Sequence, residues 1–314
     1  MKVVALAGGV GGAKLAHGLA AVLPPEELTV VVNTGDDFDH LGLRVCPDLD
    51  TVVYTLAGVA NRQTGWGRDK ETWSFLEETG ALGGPTWFRI GDRDVALHVH
   101  RTQRLREGVL LSEVTHDVCR VLGIHCSVLP MSDDDVRTVV ITDEGEMAFQ
   151  EYFVRRGCEP EVRGFRFSGA DTARPAPGVL GALLGADLVV ICPSNPWVSI
   201  DPILAVPGIR SAAASRTIVG VSPLIGGKAV KGPAAKMAAE LSIDPTPQAI
   251  AAHYAGFLHG LAYDQADPDV GAELEMAGLR SLQTRTLMRS DRDRRRLAEE
   301  VLAFGQTVAR AEVS

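Results

Sequence analysis

Residues 2–14 read KVVALAGGVGGAK, and their pattern predicts the class of fold. An apolar run over residues 2–7 ends in a glycine-rich segment, and residues 13–23 then show helical periodicity until two prolines stop it. A second apolar, β-branched run follows at residues 28–32. This order predicts a strand, a glycine loop, a helix and a second strand, which is how a parallel, doubly wound sheet begins.

Two more apolar runs occur late in the chain, at residues 187–192 and 217–221, and both end in polar turns. If these strands are parallel neighbours of the first two, their polar loops converge at one edge of the sheet and form a single cleft. The predicted fold class is therefore α/β, with a Rossmann-like, doubly wound, mostly parallel sheet and an inserted α/β cap region.

The predicted organisation is one catalytic domain over residues 1–314, with a core of about residues 1–57 and 181–314 and an inserted cap of about residues 58–180. After residue 232 the pattern is mostly helical. Within the cap, the patterns predict helices followed by a hairpin around an Asp-Glu-Gly turn. The helices are predicted near residues 69–80, 94–106 and 112–123, and the hairpin strands over residues 137–142 and 147–154.

Bulk composition excludes several classes of protein. A net charge of −9 over 314 residues argues against a nucleic-acid or membrane-surface partner. The five cysteines are scattered and form no C-x-x-C pair, so neither a disulfide framework nor a zinc site is indicated. No apolar segment reaches the roughly 20 residues of a membrane helix, and glycines interrupt the beginning before a signal peptide forms. A cytoplasmic location is predicted.

The first loop is predicted to bind phosphate through Gly9, Val10, Gly11, Gly12 and Lys14. A strand-to-helix turn exposes backbone N–H groups at a helix N-terminus, and glycines let a ligand approach the backbone closely. The loop lacks the Gly-Lys-Ser/Thr of a Walker A sequence and the third glycine of the dinucleotide fingerprint. A tight turn without a ligand is the alternative.

Ser194 and Asn195 lie between two prolines after the third predicted strand, and they are predicted to join the same nucleotide or phosphate site. Residues 222–233 form another glycine-containing loop with Lys228 and Lys231, which suggests anion binding. Either loop could also be a simple connection.

Four carboxylates follow the second strand within 15 residues: Asp36, Asp37, Asp48 and Asp50. Clustered carboxylates repel one another unless a hard cation neutralises them, and Mg²⁺ usually takes one or two carboxylates together with water and phosphate oxygens. The cluster therefore predicts a Mg²⁺ site. Helix capping or an Asx turn could instead account for any single aspartate.

Residues 91–94 read GDRD and bring charges of both signs together. Arg89 or Arg93 could hold a phosphate or a phenolate-like ring oxygen in a planar fork, or could belong to a surface ion-pair cluster. His98 and His100 are two residues apart, so they are expected on different faces and not in a metal site.

Tryptophans near these loops could stack on a flat heterocycle, although most tryptophans are simply packed. The four are Trp66, Trp73, Trp87 and Trp197. No G-x-S-x-G elbow is present, and Cys192 has no evident base nearby in sequence, which disfavours covalent catalysis.

Taken together, the motifs resemble the 2-phospho-L-lactate transferase family of coenzyme F420 biosynthesis over nearly the full chain. They are GGVGGAK at 8–14, NTGDD at 33–37, CPDLDT at 46–51, GDRD at 91–94, PMSDD at 130–134, FQEYFV at 149–154, PSNP at 193–196, VPGIR at 206–210, SPLIGG at 222–227 and KGPA at 231–234. The resemblance implies a Rossmann-like core with a cap, a homodimer, and Mg²⁺ as cofactor. The implied donor is lactyl-2-diphospho-5′-guanosine or its enolpyruvyl counterpart, the acceptor is the deazaflavin Fo (7,8-didemethyl-8-hydroxy-5-deazariboflavin), and GMP leaves.

The resemblance also implies roles for individual residues. Asp50 and Arg89 match family positions that contact Fo, and Asp36 and Asp48 are then the better candidates for the metal. In this account the terminal ribityl hydroxyl of Fo attacks the phosphorus that bears the organic acid. Asp50 would orient that hydroxyl or accept its proton, and Arg93 would stabilise charge on the phosphoryl oxygens.

Two other classes of protein share part of this pattern. A nucleotide-sugar-binding regulatory protein with a related core would share the glycine loop and early aspartates, but is not expected to carry GDRD, FQEYFV and KGPA together. A Rossmann oxidoreductase could use Asp36 to hold a ribose, yet the incomplete glycine fingerprint counts against it. Whether the donor acid is lactate, enolpyruvate or glycerate stays open.

Overall fold

Strands and helices alternate along most of the chain. The computed structural model describes residues 1–229 and 232–313. The strands are β1 (Val3–Ala7), β2 (Leu28–Val32), β3 (Phe38–His40), β4 (Leu43–Val45), β5 (Ser127–Pro130), β6 (Arg137–Thr142), β7 (Gly145–Ala148), β8 (Val162–Ser168), β9 (Leu188–Ile191), β10 (Ile218–Val221), β11 (Leu224–Ile225), β12 (Lys228–Ala229), β13 (Gly260–Asp264) and β14 (Arg280–Thr284). The helices are α1 (Gly9–Ala20), α2 (Pro47–Leu56), α3 (Ser74–Ala81), α4 (Asp92–Arg106), α5 (Leu111–Val121), α6 (Val179–Leu184), α7 (Asp201–Ala205), α8 (Ile209–Ala214), α9 (Ala234–Glu240), α10 (Pro247–His253), α11 (Gly271–Met276) and α12 (Asp291–Val313).

The central sheet has seven strands in the order β14-β13-β10-β9-β1-β2-β5, and each neighbouring pair is parallel. From β1 the chain moves outward through β2 to β5, whereas from β9 it moves the opposite way through β10 and β13 to β14. The order therefore reverses between β1 and β9, which is the switch point where doubly wound sheets bind ligands. This arrangement confirms the predicted fold class and the predicted adjacency of the four strands.

Helices cover both faces of the sheet, as a buried parallel sheet requires. Alternate residues of β1 point to opposite faces, so Val4 and Leu6 join one core while Val3, Ala5 and Ala7 join the other. The first core includes apolar residues of α6, α8, α10 and α11. The second includes those of α1, α2 and α12. Among the described residues, no helix is long and apolar enough to span a bilayer.

The cap is built on a small antiparallel sheet of order β7-β6-β8. The predicted hairpin is present, but its second strand is only Gly145–Ala148, and a π-helical turn at Glu151–Arg155 replaces the remainder of the predicted 147–154 strand. Side chains from α9 and Trp197 pack beneath this sheet in a third hydrophobic cluster. The cap is thereby held against loops of the core.

Three strands of the central sheet lie where the patterns predict something else. Strand β5 falls inside the predicted cap of residues 58–180, yet it pairs with β2, with Val30 opposite Val128. Strands β13 and β14 lie in the region after residue 232 that was predicted to be mostly helical. Apolar runs of four or five residues cannot be told from helix by periodicity, and β14 is an edge strand with exposed polar residues.

Candidate functional site

A cleft of about 650 Å³ lies beyond the carboxyl ends of the central strands. Loops that follow β1, β2, β9, β10 and β14 form one side of it, and residues of the cap form the other. The loops at residues 8–11, 193–195 and 222–223 all contribute lining residues. The predicted convergence of loops from both ends of the chain is therefore confirmed.

The glycine loop packs directly against the loop that follows β9. A Cβ on Gly11 would lie 2.1 Å from the carbonyl oxygen of Pro193, and one on Gly12 would lie 2.5 Å from Ser194 Oγ. Gly9 has a φ of +59°, a conformation that favours glycine. These glycines are thus required by close loop packing and backbone geometry, whether or not a phosphate binds.

Most of the predicted phosphate-binding residues line the cleft. Gly9, Val10, Gly11 and Lys14 do so, whereas Gly12 is buried behind them. The Lys14 ammonium donates a hydrogen bond to the carbonyl oxygen of Met288 at 3.0 Å. The N-terminus of α1 therefore opens toward the cleft with a cation one turn away.

Ser194 and Asn195 line the cleft but also hold the loops together. The Ser194 hydroxyl accepts from Gly8 N at 3.1 Å and donates to Gly8 O at 2.8 Å, which links β1 to β9 across the switch point. Asn195 Oδ1 accepts from the backbone N–H of Trp197 at 3.1 Å and caps the helical turn at Pro196–Ile200. A role for these two side chains in phosphate binding stays a prediction.

Asp36 and Asp48 share one amide, that of Asn33, which the sequence interpretation did not single out. Asn33 Nδ2 lies 3.2 Å from Asp36 Oδ1, 2.9 Å from Asp48 Oδ2 and 3.1 Å from the carbonyl oxygen of Val198. Both carboxylates are buried and line the cleft. The two aspartates predicted to hold a metal are therefore brought together.

Burial makes both carboxylates reluctant to ionise. It raises the pKa of Asp36 well above its usual value, and the nearby charge of Asp48 raises it further. Burial also raises the pKa of Asp48 to about 6, although hydrogen bonds from Asn33, the Gly9 backbone and Ser199 act in the opposite direction. The pair is a site where positive charge would be strongly favoured.

Asp50 lies two residues after Asp48 but has a cationic partner. Arg101 Nη1 donates to Asp50 Oδ2 at 3.1 Å and Arg101 Nη2 donates to Asp50 Oδ1, so the pair is bidentate. Arg101 is only 3% exposed. Arg101 was not predicted from the sequence, although Asp94, the last residue of GDRD, is followed by His98 and Arg101 at the spacing of one helix face.

His98 lies beside this ion pair and lines the cleft. Its Nδ1 is 3.4 Å from Arg101 Nη1 and 3.7 Å from Asp50 Oδ2. Burial lowers the pKa of His98 to about 4, so the ring is neutral at pH 7. A guanidinium can only donate, so Nδ1 accepts from Arg101 and Nε2 carries the proton. His100 is exposed, which confirms that the two histidines lie on different faces.

The two candidate arginines occupy different surroundings. Arg89 lines the cleft, and its guanidinium carbon lies 4.4 Å from the centre of the Trp73 ring. Arg93 is exposed in the first turn of α4 and is not among the cleft residues. Its backbone N–H donates to Glu71, and the side chain that this turn buries is Asp94. The structure does not place Arg93 at the predicted catalytic position.

Aromatic side chains of the cap form an extended wall. Trp66 and Trp87 line the cleft, and Trp87 meets Phe88 edge to face with ring centres 5.7 Å apart. Phe149 and Phe153 stack at 5.5 Å and also line it. Trp197 instead belongs to the cap core. Two of the four tryptophans thus lie where a flat ring could stack.

A smaller hollow of about 480 Å³ adjoins the cleft and carries three cations, Lys14, Lys228 and Arg289. Lys228 thus lies beside the cleft, and its predicted role in anion binding stays a prediction. Lys231, which was predicted with it, lies outside the described residues. Within residues 1–229 and 232–313, no group of three or more His, Cys, Asp or Glu side chains could hold a metal ion.

Comparison with known proteins identifies the family of this chain. Residues 3–277 match the family model described as 2-phospho-L-lactate transferase CofD. A phosphoenolpyruvate transferase of Kitasatospora aureofaciens is 47% identical over 98% of this chain and 99% of its own length. A 2-phospho-L-lactate transferase of Methanopyrus kandleri is 42% identical over 96% of this chain and 97% of its own.

A crystal structure of a UPF0052 family protein from Bacillus halodurans has the same fold, with a TM-score of 0.62 at 17% identity over 96% of this chain and 98% of that one. At this identity the likeness concerns the fold alone. The family match spans most of the chain and includes the glycine loop, the carboxylates and the cap wall of the cleft. The chain therefore belongs to the 2-phospho-L-lactate transferase CofD family and is a transferase of coenzyme F420 biosynthesis.

Proposed function

We propose that the cleft transfers a phospholactyl or phosphoenolpyruvyl group from a guanosine-diphosphate-linked donor to the terminal ribityl hydroxyl of Fo, with release of GMP. One observation carries the proposal. A phosphate-compatible helix N-terminus, a buried carboxylate pair and an aromatic wall with Arg89 all line the same cleft. The helix N-terminus suits the phosphates of the donor, the carboxylate pair suits a metal ion that contacts those phosphates, and the aromatic wall with Arg89 suits the ring of Fo.

The donor fits the core side of the cleft. Backbone N–H groups at the N-terminus of α1 favour anionic phosphate, and Lys14 adds a positive charge there. The hollow formed by Lys14, Lys228 and Arg289 continues from this point and offers further charge to a diphosphate.

The acceptor fits the cap side. Trp87, Phe88 and the stacked Phe149–Phe153 pair provide flat apolar surface for a tricyclic ring. Arg89 lies beside them, with its guanidinium on the Trp73 ring, and could pair with the ring's hydroxyl oxygen in its ionised form. Asp50 and Arg89, to which the family resemblance assigns contacts with Fo, both line the cleft.

Asp36 and Asp48 are the residues that would hold Mg²⁺. Mg²⁺ prefers oxygen ligands and takes one or two carboxylates with water and phosphate oxygens, so a pair is sufficient. The fit rests on two buried carboxylates whose pKa values are raised by burial and, at Asp36, by the neighbouring charge of Asp48. When bound, the ion would supply positive charge to the phosphoryl oxygens.

Asp50 would orient the attacking hydroxyl. Both of its oxygens accept hydrogen bonds from Arg101, so the carboxylate is fixed in place and keeps lone pairs for the ribityl O–H. The hydroxyl oxygen then forms a bond to phosphorus, its proton passes to Asp50 and from there to water, and the phosphorus–oxygen bond to GMP breaks so that GMP leaves with the bonding electrons. Lys14 and the α1 N–H groups would stabilise the charge that develops, whereas Arg93 lies outside the cleft lining.

The proposal is tested by incubating the purified protein with Fo, Mg²⁺ and each guanosine-diphosphate-linked donor in turn, carrying lactate, enolpyruvate or glycerate. Mass spectrometry should detect the added phosphoryl acid on Fo together with GMP. Asp48→Asn should abolish most of this product, while Asp171→Asn, on an exposed loop, should not. No product from any donor would refute the transfer, and full product in excess chelator would refute the metal.

We also propose that the protein works in the cytoplasm as a homodimer. All five cysteines are free, which supports a reducing compartment. The homodimer rests on the family resemblance, and light scattering of the purified protein at micromolar concentration would test it.

A further inference from the structure

The imidazole of His98 keeps a hydrogen-bond donor open to the cleft. His98 is 3% exposed and lines the cleft. In the part of the chain that the structure describes, no residue forms a hydrogen bond with its Nε2. Nε2 is nevertheless not one of the side-chain atoms that are sealed from water without a partner. The small surface that the ring retains therefore includes Nε2, and a molecule bound in the cleft can reach it.

The other ring nitrogen faces protein groups. Nδ1 lies 3.4 Å from Arg101 Nη1 and 3.7 Å from Asp50 Oδ2. Burial lowers the pKa of His98 to about 4, so the ring is neutral at pH 7 and carries a single proton. Since a guanidinium can only donate, Nδ1 is the acceptor and the proton lies on Nε2. The atom that is open to the cleft is thus a donor.

The position of this donor is fixed before any ligand arrives. The backbone carbonyl oxygen of His98 accepts from Thr102 Oγ1 at 2.6 Å, and the same hydroxyl accepts from the backbone N–H of Arg44 at 2.7 Å. On the next turn side, the buried ion pair of Arg101 with Asp50 holds the Nδ1 edge of the ring. A ligand that binds a pre-organised group loses less affinity to ordering.

His98 and Asp50 offer opposite chemistry at neighbouring points of the cleft. The Asp50 carboxylate can only accept hydrogen bonds, whereas the Nε2–H of neutral His98 can only donate. A ligand that satisfies both must carry a donor and an acceptor a short distance apart. Two hydroxyl groups on adjacent carbons of a polyol chain meet this requirement, because each hydroxyl can donate or accept.

We propose that His98 Nε2–H donates to the ribityl hydroxyl on the carbon next to the terminal one, while Asp50 accepts from the terminal hydroxyl. This inference rests on the proposed function, which places the terminal hydroxyl at Asp50. Donation to the neighbouring oxygen leaves the lone pairs of the attacking oxygen for phosphorus. His98 is thus a specificity-determining residue that selects a polyhydroxylated chain on the acceptor.

Two amide variants distinguish the ring nitrogens. A glutamine amide nitrogen reaches about as far from the backbone as Nε2 of histidine, whereas that of asparagine reaches about as far as Nδ1. In a fluorescence titration of Fo, we expect His98→Gln to stay within about threefold of the wild-type affinity and His98→Asn to bind about tenfold more weakly. GMP affinity should not change. His100 is exposed on α4, so His100→Asn is the matched control and should bind Fo like the wild type.

An Fo analogue identifies the hydroxyl that His98 contacts. The wild type should bind Fo that lacks the hydroxyl next to the terminal one about tenfold more weakly than Fo itself. His98→Asn should bind the two compounds equally, since the donor that distinguishes them is gone. Melting temperatures at pH 7 check that each variant is folded, and kcat with Fo should change less than about twofold in His98→Asn.

Equal Fo affinity for the wild type and His98→Asn would overturn the inference, and so would a His98→Asn variant that still discriminates against the deoxy analogue. His98→Gln as weak as His98→Asn would overturn the assignment to Nε2. A fall in kcat with Fo affinity unchanged would also overturn it, because His98 would then act only by positioning Asp50. Failure of the proposed function is recognised separately, because the wild-type protein would then neither bind nor convert Fo.

Discussion

Asp48 and Asp50 lie two residues apart in the first turn of α2, yet their surroundings are opposite. Asp48 shares the neutral amide of Asn33 with a second carboxylate, Asp36. Asp50 is held on both oxygens by the buried guanidinium of Arg101. Among the residues that the structure describes, the Asp36–Asp48 pair has no cationic partner, whereas the charge of Asp50 is neutralised by Arg101 within the protein.

The helix itself produces this contrast. Residues two apart on an α-helix point in directions about 200° apart, so they meet different elements of the fold. Asp48 approaches the glycine loop, where a Cβ on Gly8 would lie 2.4 Å from its Oδ2. Asp50 meets α4 of the cap. Carboxylates that lie close together in the sequence can therefore have different roles in the fold. One can belong to a cation site while another is a fixed hydrogen-bond acceptor.

Replacing Arg101, the partner of Asp50, should have the largest effect on stability. Arg101→Leu leaves Asp50 buried and unpaired, which should destabilise the protein by about 3–5 kcal/mol in urea denaturation. Adding Asp50→Asn should recover much of that loss. Arg166→Leu removes an exposed ion pair with Glu146 and should cost less than about 1 kcal/mol. If the two arginine variants were equally mild, Arg101 would not be what neutralises Asp50.

His98, which lies beside Asp50, should make the stability of the protein depend on pH. Its pKa is about 4 in the folded protein, because burial lowers it, and about 6.5 in an unfolded chain. Between these values the unfolded state binds a proton that the folded state does not, so this contribution is complete above pH 6.5 and is lost as the pH falls toward 4.

Between pH 7 and 4.5, we expect the wild type to lose on the order of 2 kcal/mol more stability than His98→Asn. Urea denaturation at several pH values measures the difference. His116 is exposed, so His116→Asn should follow the wild type. A His98→Asn curve parallel to that of the wild type would contradict the neutral, buried histidine.

A smaller effect should separate the two arginines beside the cap wall. Arg89 lines the cleft and Arg93 does not, so Arg89→Ala should raise KM for Fo about fivefold, while Arg93→Ala should change it less than about twofold. KM for the donor should stay unchanged in both. A larger loss of kcat in Arg93→Ala than in Arg89→Ala would restore the catalytic role predicted from GDRD.

Much of the core could be predicted because its signals are local. The apolar runs of β1, β2, β9 and β10 end in polar turns, and parallel topology then brings those turns to one edge. Strands β5, β13 and β14 were missed, because short runs flanked by helical patterns carry no distinct period. For the same reason, the predicted cap of about residues 58–180 included β5, which belongs to the central sheet.

The site was predicted in outline but not in its pairings. Asp36, Asp48, Asp50 and Arg89 were singled out and all line the cleft. Asn33 and Arg101 were not, because their importance depends on partners 15 and 51 residues away. Arg93 was singled out and Asp94 was not, since membership of a motif does not reveal which side of a helix turn is buried.

The βα beginning, the glycine loop and the cluster of carboxylates could all be recognised in the sequence, since each depends on residues within one or two turns of chain. Which carboxylate is paired with a cation and which is left to a ligand depends on the folded arrangement of distant segments. Folding also brings Ser194 to the switch point, where its hydroxyl forms hydrogen bonds with Gly8, a residue 186 positions away. Charge state and hydrogen-bond satisfaction depend on burial and on long-range neighbours, and folding sets both.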